Sequence, residues 1–164
     1  MQDRYKFRGK RIDNGQWYYG SYLYLHNPPK YDWNGTKHEG KEDVHFIIDE
    51  KDVNYGVYPE TVGQCTGLKD KNGKLIYEGD IVKYICPAEY CSDGLHKCPE
   101  CYSGENGSVH YDEDLAMYEY RSKSDQCPLT DNINTKEDLE IIGNIYENQE
   151  LLKEVKWWNI TNLN

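Results

Sequence analysis

Two asparagine–glycine pairs, each flanked by strand-like segments, constrain the fold of this chain more than any other feature of its sequence. The first, Asn14-Gly15, separates residues 5–8 from residues 17–25, and the second, Asn72-Gly73, lies within residues 66–77. Both residue types tolerate the positive backbone φ that a tight hairpin turn requires, and side chains alternate between two faces along each flank. The sequence therefore predicts two β-hairpins.

Further short segments predict a chain built mostly of strands. The composition supports this, because the chain has 16 Tyr and 4 Trp, which fit a pleated, half-buried surface. Pro59 is expected to open a turn or a single helical turn, and Asn148 to cap a short amphipathic helix near the C-terminus. The other predicted strands are residues 44–48, 81–85, 108–111, 115–121 and 139–146.

The predicted fold class is mainly β: an SH3-like β-roll or barrel with an additional β-rich N-terminal part and a short C-terminal helix. We assign residues 1–57 to the N-terminal part, which contains hairpins and an exposed loop over 26–43. Residues 58–164 form the SH3-like core, which carries a Cys-rich loop over 86–101 and the helix.

The charge of the chain argues against ordinary binding to duplex nucleic acid. Asp and Glu number 29 against 19 Lys and Arg, so the formal net charge is −10. A surface that neutralises phosphates needs clustered basic side chains. The one basic cluster is near the N-terminus and consists of Lys6, Arg8, Lys10 and Arg11.

The sequence has no segment that suggests a membrane or an export route. The first residues lack the apolar run of a signal peptide, and no stretch approaches the length needed to cross a bilayer. We therefore expect no membrane partner and a location in the cytoplasm of a bacterial host cell. Cysteines in that compartment are thiols or metal ligands rather than disulfides.

Four cysteines form the strongest candidate for a site. Cys86 and Cys91 are separated by four residues, Cys98 and Cys101 by two, and six residues lie between the pairs. Four thiolates in a closed tetrahedron bind a structural zinc ion and leave no open position for a substrate. The sequence thus predicts zinc as a structural cofactor at these residues. A reduced, metal-free loop is the alternative, and His96 or Cys127 could replace one ligand.

Three stretches of the sequence resemble the YopX family of phage and prophage proteins. They are residues 59–82 (PETVGQCTGLKDKNGKLIYEGDIV), the opening Lys6-Phe7-Arg8 followed by Trp17 and Gly20, and residues 142–148 followed by two leucines. The resemblance implies an SH3-type β-roll with a β-rich N-terminal addition, and it supplies no catalytic residues. The chain departs from the family pattern at Gly9 and Cys65, where aromatic side chains are typical.

The functional prediction is a phage accessory protein that is not an enzyme and works by binding. Aromatic strands favour contacts with a second copy of the chain, so we expect a homo-oligomer, and the ligand is an unidentified macromolecule or small molecule. His45 and His110 fall in predicted strands and are expected to be structural. Two alternatives stay open: a small nucleic-acid-binding barrel with a zinc knuckle, and a nucleotide-processing enzyme whose residues cannot be named.

Overall fold

The computed structural model describes residues 2–31, 35, 37, 43–84, 106–123, 126–129 and 139–152. Contacts divide the chain into two compact units. One comprises Met1–Leu68 and Leu75–Glu78, and the other comprises Lys69–Lys74 and Gly79–Asn164. This partition differs from the predicted boundary between residues 57 and 58, because the strands on either side of Asn72-Gly73 pair into the first sheet.

The first unit is built on one six-stranded sheet with the strand order β4-β3-β2-β1-β5-β6. A 3-10 helix, Gln2–Tyr5, precedes β1, and a second one, Pro59–Thr61, precedes β5. The strands are β1 (Phe7–Lys10), β2 (Trp17–His26), β3 (Asp43–Ile48), β4 (Asn54–Gly56), β5 (Gly63–Lys69) and β6 (Leu75–Tyr77).

The second unit is built on a five-stranded antiparallel sheet with the strand order β10-β9-β8-β7-β11. A 3-10 helix, Gln149–Leu152, follows the last strand. The strands are β7 (Asp80–Tyr84), β8 (Asn106–Asp112), β9 (Met117–Arg121), β10 (Gln126–Pro128) and β11 (Leu139–Asn144).

The mainly β fold class is confirmed, and so are both predicted turns. Gly15 and Gly73 have φ values of 70° and 78°, in the left-handed region that glycine reaches without a steric penalty. Neither sheet closes on itself in the described part of the chain, so the SH3-like barrel stays a prediction. Of the predicted C-terminal helix, residues 149–152 form a 3-10 turn, and the positions from 153 onward lie outside the described residues.

Each unit contains buried apolar side chains, most of which lie on its strands. Burying one such side chain contributes about 1.5–3 kcal/mol. The buried apolar side chains of the first unit are Val44, Phe46, Ile47, Val57, Cys65, Ile76 and Tyr77, and those of the second are Ile81, Val82, Val109, Tyr120, Leu129 and Leu139.

A buried carboxylate organises the turn over residues 69–74. Asp70 is 2% exposed, and its Oδ1 accepts the backbone N–H groups of Asn72 and Lys74, each at 2.9 Å. Its Oδ2 accepts the N–H of Ile141 at 3.2 Å, and the N–H of Lys71 donates to Leu139. The turn therefore covers the outer edge of β11, which would otherwise offer unpaired backbone groups to another chain.

Candidate functional site

The cysteines of the predicted zinc site, Cys86, Cys91, Cys98 and Cys101, lie outside the described residues. Zinc therefore stays a prediction from the sequence. Cys65 lies in β5 and is fully buried, and burial raises the pKa of its thiol. Among the residues that the structure describes, no group of three or more His, Cys, Asp and Glu side chains could hold a metal ion.

The N-terminal basic cluster does not form a continuous positive surface. Lys6 pairs with Asp3 at 3.0 Å. Arg8 is 4% exposed, and its guanidinium lies 5.0 Å from the ring centre of Trp17 and 5.4 Å from that of Tyr77. Strand alternation also places Arg8 and Arg11 on opposite faces of the sheet. Lys6 and Arg8 therefore interact with other side chains of the first unit and not with solvent alone.

A groove of about 470 Å³ lies along the outer edge of β3 in the first unit. Its volume is within the range typical of ligand sites. The groove lies where β4, which pairs only with residues 46–48, has ended. Among the described residues, the chain beyond β4 donates to the backbone of β3 only through the Val57 N–H, which bonds to the His45 carbonyl at 2.9 Å. The lining residues are Arg11, Ile12, Asp13, Asp43, Val44, His45, Phe46, Asn54, Tyr55, Gly56, Val57 and Pro59.

One wall of the groove is an arginine held against two tyrosine rings. The Arg11 guanidinium lies 4.8 Å from the ring centre of Tyr18 and 4.4 Å from that of Tyr55, and the two ring centres are 4.0 Å apart. Arg11 Nε also donates to Asp13 Oδ1 at 2.8 Å. This hydrogen bond lowers the pKa of Asp13. The wall is therefore aromatic, and its positive charge is balanced locally.

The lining of the groove also contains an ordered carboxylate, Asp43. In the register of β2 and β3, His26 lies opposite Asp43 and Tyr24 opposite His45, so all four side chains share one face. The Tyr24 hydroxyl donates to Asp43 Oδ1 at 2.8 Å, and His26 Nδ1 lies 2.8 Å from the same oxygen. Hydrogen bonds from His26 and Tyr24 lower the pKa of Asp43. No described residue contacts Asp43 Oδ2.

His45 is fixed beside this carboxylate by aromatic neighbours. Its Nδ1 shares a hydrogen bond of 2.6 Å with the Tyr22 hydroxyl, and its ring centre lies 5.1 Å from that of Tyr24. The prediction that His45 lies in a strand is confirmed, and these contacts support the structural role predicted for it. The groove thus combines an acidic acceptor, held aromatic rings and the apolar side chains of Val44 and Phe46.

A second polar cluster lies within the sheet of the second unit. His110 Nε2 is 2.8 Å from Ser108 Oγ, and Glu119 interacts with Arg121 and accepts a hydrogen bond of 2.6 Å from Gln126. Burial lowers the pKa of His110. Ser108 is 6% exposed and Glu119 is 2% exposed, and no hydrogen bond joins His110 to Glu119 among the described residues. The cluster therefore has two buried members, Ser108 and Glu119, whereas the side chain of Arg121 is 44% exposed, and its contacts join β8 to β9 and β10.

Sequence reasoning missed the groove because its walls come from three separate segments, residues 11–13, 43–46 and 54–59. The sequence contained one sign of the residues beside the groove. Tyr22, Tyr24 and His26 are at alternate positions of β2, so their side chains share one face of the sheet. The residues that face them across the sheet, Asp43 and His45, are known only once β2 and β3 are paired in register.

Within the described part of the chain, no helix is long and apolar enough to cross a membrane.

Comparison with known protein families identifies the chain. A family model described as YopX protein matches residues 6–153, which is most of the sequence. The chain therefore belongs to the YopX family, as its sequence motifs predicted. A search of curated proteins finds no match.

Proposed function

We propose that this YopX family protein is a phage or prophage accessory protein that acts in the bacterial cytoplasm by binding and not by catalysis. Its binding site is the groove beside β3. The observation that carries the proposal is a groove of about 470 Å³ whose walls are aromatic, acidic and apolar. No serine, threonine or cysteine lines it among the described residues, so its lining supplies no aliphatic hydroxyl or thiol nucleophile.

The rigidity of the groove walls supports this proposal. Arg11 is held by two rings and one carboxylate, and Asp43 by a tyrosine and a histidine. Side chains that are already ordered lose little conformational freedom when a ligand binds, so more of the interaction energy appears as affinity. A groove built in this way favours binding of a partner without rearrangement of its walls.

The two alternative functions have less support. A nucleic-acid-binding barrel needs a basic groove, whereas this groove presents Asp13 and Asp43, and the nearby Lys6, Arg8 and Arg11 are engaged with other side chains. A nucleotide-processing enzyme needs a phosphate-binding loop, and the glycine-containing tract over 63–67 lies in the strand β5.

Affinity purification of the tagged full chain from infected or lysogenic cells tests the proposal, with mass spectrometry of both proteins and small molecules. The bait carrying Ile12→Arg changes a groove residue that is 48% exposed. The matched control is Leu115→Arg, at a 59% exposed residue in the second unit. We expect one ligand to be recovered with the unchanged chain and the control, and to be lost with Ile12→Arg. Equal recovery with all three baits, or recovery of the protein alone, would reject the proposal.

We also propose that the protein forms a homo-oligomer. The support is the exposed aromatic surface of the first unit, which includes Tyr19 at 47% and Tyr5 at 79% exposure. Light scattering coupled to size exclusion measures the mass directly, and the chain has a mass of 19.3 kDa. A single species at the mass of one chain across the accessible concentration range would disprove this state.

A further inference from the structure

The second half of β2 has an open edge. Residues 17–20 pair with β1 on one side, whereas residues 21–26 pair with β3 on the other side. β1 begins at Phe7, opposite Gly20, so it does not extend beside the second half of β2. Among the described residues, no strand pairs with the outer side of residues 21–26. This outer side is therefore a place where another strand can be added.

The backbone N–H and C=O groups of three residues face this open edge. Along β3, the His45 carbonyl accepts the Val57 N–H and so faces away from β2. Because His45 lies opposite Tyr24, the Tyr24 backbone also faces away from β3. Backbone direction alternates along a strand, so the backbones of Tyr22 and His26 face the same way as that of Tyr24. No backbone hydrogen bond from another described residue reaches these three on that side.

The open edge lacks the features that protect exposed edges from association. Such edges are commonly blunted by a Lys, a Pro or a bulge. Residues 21–26, Ser-Tyr-Leu-Tyr-Leu-His, contain no Lys, Arg, Asp, Glu or Pro, and their register with β3 is regular. The whole chain has a formal charge of −10, yet two copies that meet along this strand oppose no acidic side chains within it.

The side-chain pattern of this half-strand is complementary to itself in an antiparallel arrangement. When two copies pair with their Tyr24 residues opposite each other, Tyr22 of each lies opposite His26 of the other. All three residues then exchange both backbone hydrogen bonds across the interface, and their rings form one aromatic row. On the other face, Leu23 lies opposite Leu25. Both leucines are only half-buried in one copy, so the pairing also removes apolar surface from water.

We propose that two copies of the chain associate through the open edge of β2, antiparallel about a two-fold axis with the Tyr24 residues at its centre. Their β3–β2 pairs join into one continuous sheet across the dimer. Because each edge is occupied by the same edge of the other copy, the contact closes at two chains. This inference rests on the proposed homo-oligomer, because it names the surface through which that assembly forms.

Mass and amide exchange of the full chain test the interface first. One chain has a mass of 19.3 kDa, and we expect light scattering to give about twice that value as the concentration rises. Hydrogen exchange followed by NMR should show that the amides of Tyr22, Tyr24 and His26 become protected over the same concentrations. The amides of Leu23 and Leu25 bond to β3 within one copy, so they should be protected at every concentration.

Two substitutions of Tyr24 test the centre of the interface. Tyr24→Pro removes an N–H that faces the second copy and not β3, so the ladder within one copy is retained. Tyr24→Lys places two like charges opposite each other. Each should raise the dissociation constant of the dimer at least about tenfold. The matched control is Tyr58→Lys, at a residue outside the strands that is 40% exposed against 47% for Tyr24, and it should leave the constant unchanged. Circular dichroism checks that each variant is folded.

The possible outcomes separate this interface from the broader proposal of a homo-oligomer. An assembly that folded Tyr24→Lys does not weaken, or in which the Tyr22, Tyr24 and His26 amides stay unprotected, would overturn the β2 interface and leave the homo-oligomer standing. A mass above two chains would overturn the two-fold contact in the same way. A chain that keeps the mass of one copy at all concentrations would reject both proposals.

Discussion

The two units differ in which of their side chains are buried and which are exposed. The second unit contains three buried carboxylates, since Asp70, Asp80 and Glu119 are each no more than 2% exposed, and no described carboxylate of the first unit is buried to this extent. The first unit leaves most of the exposed large apolar side chains on its surface, namely Tyr5, Ile12, Tyr19, Tyr24, Tyr31, Val53 and Tyr58, against Tyr111 and Leu115 in the second.

Two carboxylates show what this difference means for function. Asp43 and Glu119 both lie on strands and both interact with two neighbouring side chains. The side chain of Asp43 is 46% exposed, whereas Glu119 is 2% exposed. A buried, fully bonded carboxylate contributes to stability and pairing, because its loss leaves unsatisfied partners. An exposed one with a spare oxygen can meet a ligand at little cost to folding.

Among the variants that compare the two units, Asp70→Ala is expected to change the free energy of unfolding most. Removal of this carboxylate leaves three backbone N–H groups without their acceptor, which should lower the free energy of unfolding by about 2–4 kcal/mol. Urea denaturation measures the loss. Asp43→Ala in the first unit is the matched control and should change stability by no more than about 0.5 kcal/mol. Similar losses of stability for the two variants would contradict the proposed difference between the buried Asp70 and the exposed Asp43.

A somewhat smaller effect is expected from Glu119→Ala. This variant removes the acceptor of Gln126 and the ion-pair partner of Arg121, and should cost about 1.5–3 kcal/mol because hydrogen bonds to charged groups are stronger than neutral ones. Glu113→Ala, at an exposed position of the same hairpin, is the control and should be near neutral. Thermal unfolding of both variants decides whether the buried cluster stabilises the second unit.

His110 predicts how the second unit responds to acid. Burial lowers its pKa in the folded protein, so on acidification the unfolded chain takes up this proton first, near pH 6.5. The free energy of unfolding should therefore fall as the pH drops from about 6.5 towards the folded pKa, and His110→Gln should remove this part of the dependence. Urea titrations across this pH range measure it. Identical pH profiles for the two proteins would contradict the prediction.

The smallest expected effect comes from a substitution in a turn, and it raises the free energy of unfolding where the preceding variants lower it. Ala116, in the β8–β9 turn, has a φ of 52°, which side chains other than Gly, Asn and Asp adopt at a cost. Ala116→Gly should stabilise the protein by about 0.5–1 kcal/mol. Asp52→Gly, at a φ of 57° in the first unit, should gain less because Asp tolerates this region. Destabilisation by Ala116→Gly would show that the turn is not strained.

Local patterns predicted the hairpins well and the shortest elements poorly. The turns at Asn14-Gly15 and Asn72-Gly73 follow from backbone preferences of the residues themselves. β4 and β10 were missed because three residues are too few to reveal an alternating pattern. β1 begins at Phe7 and not at Tyr5, since the Lys6 N–H bonds to the Asp3 carbonyl and extends the preceding 3-10 turn.

The candidate site could not be predicted in the same way. The cysteine spacing predicted a site within residues 86–101, which lie outside the described part of the chain. The groove depends on the early end of β4 and on the pairing of β2 with β3, across a connection of sixteen residues (27–42). The local sequence of one strand does not indicate where the neighbouring strand ends.

The sequence by itself determined the family, the predominance of strands and the position of the glycine turns, because these depend on side chains close together along the chain. Only the tertiary structure decided which carboxylates are buried and which are exposed. Burial is set by strands that are distant in sequence, so Asp43 and Glu119 look alike in the sequence and differ only when their neighbours have packed.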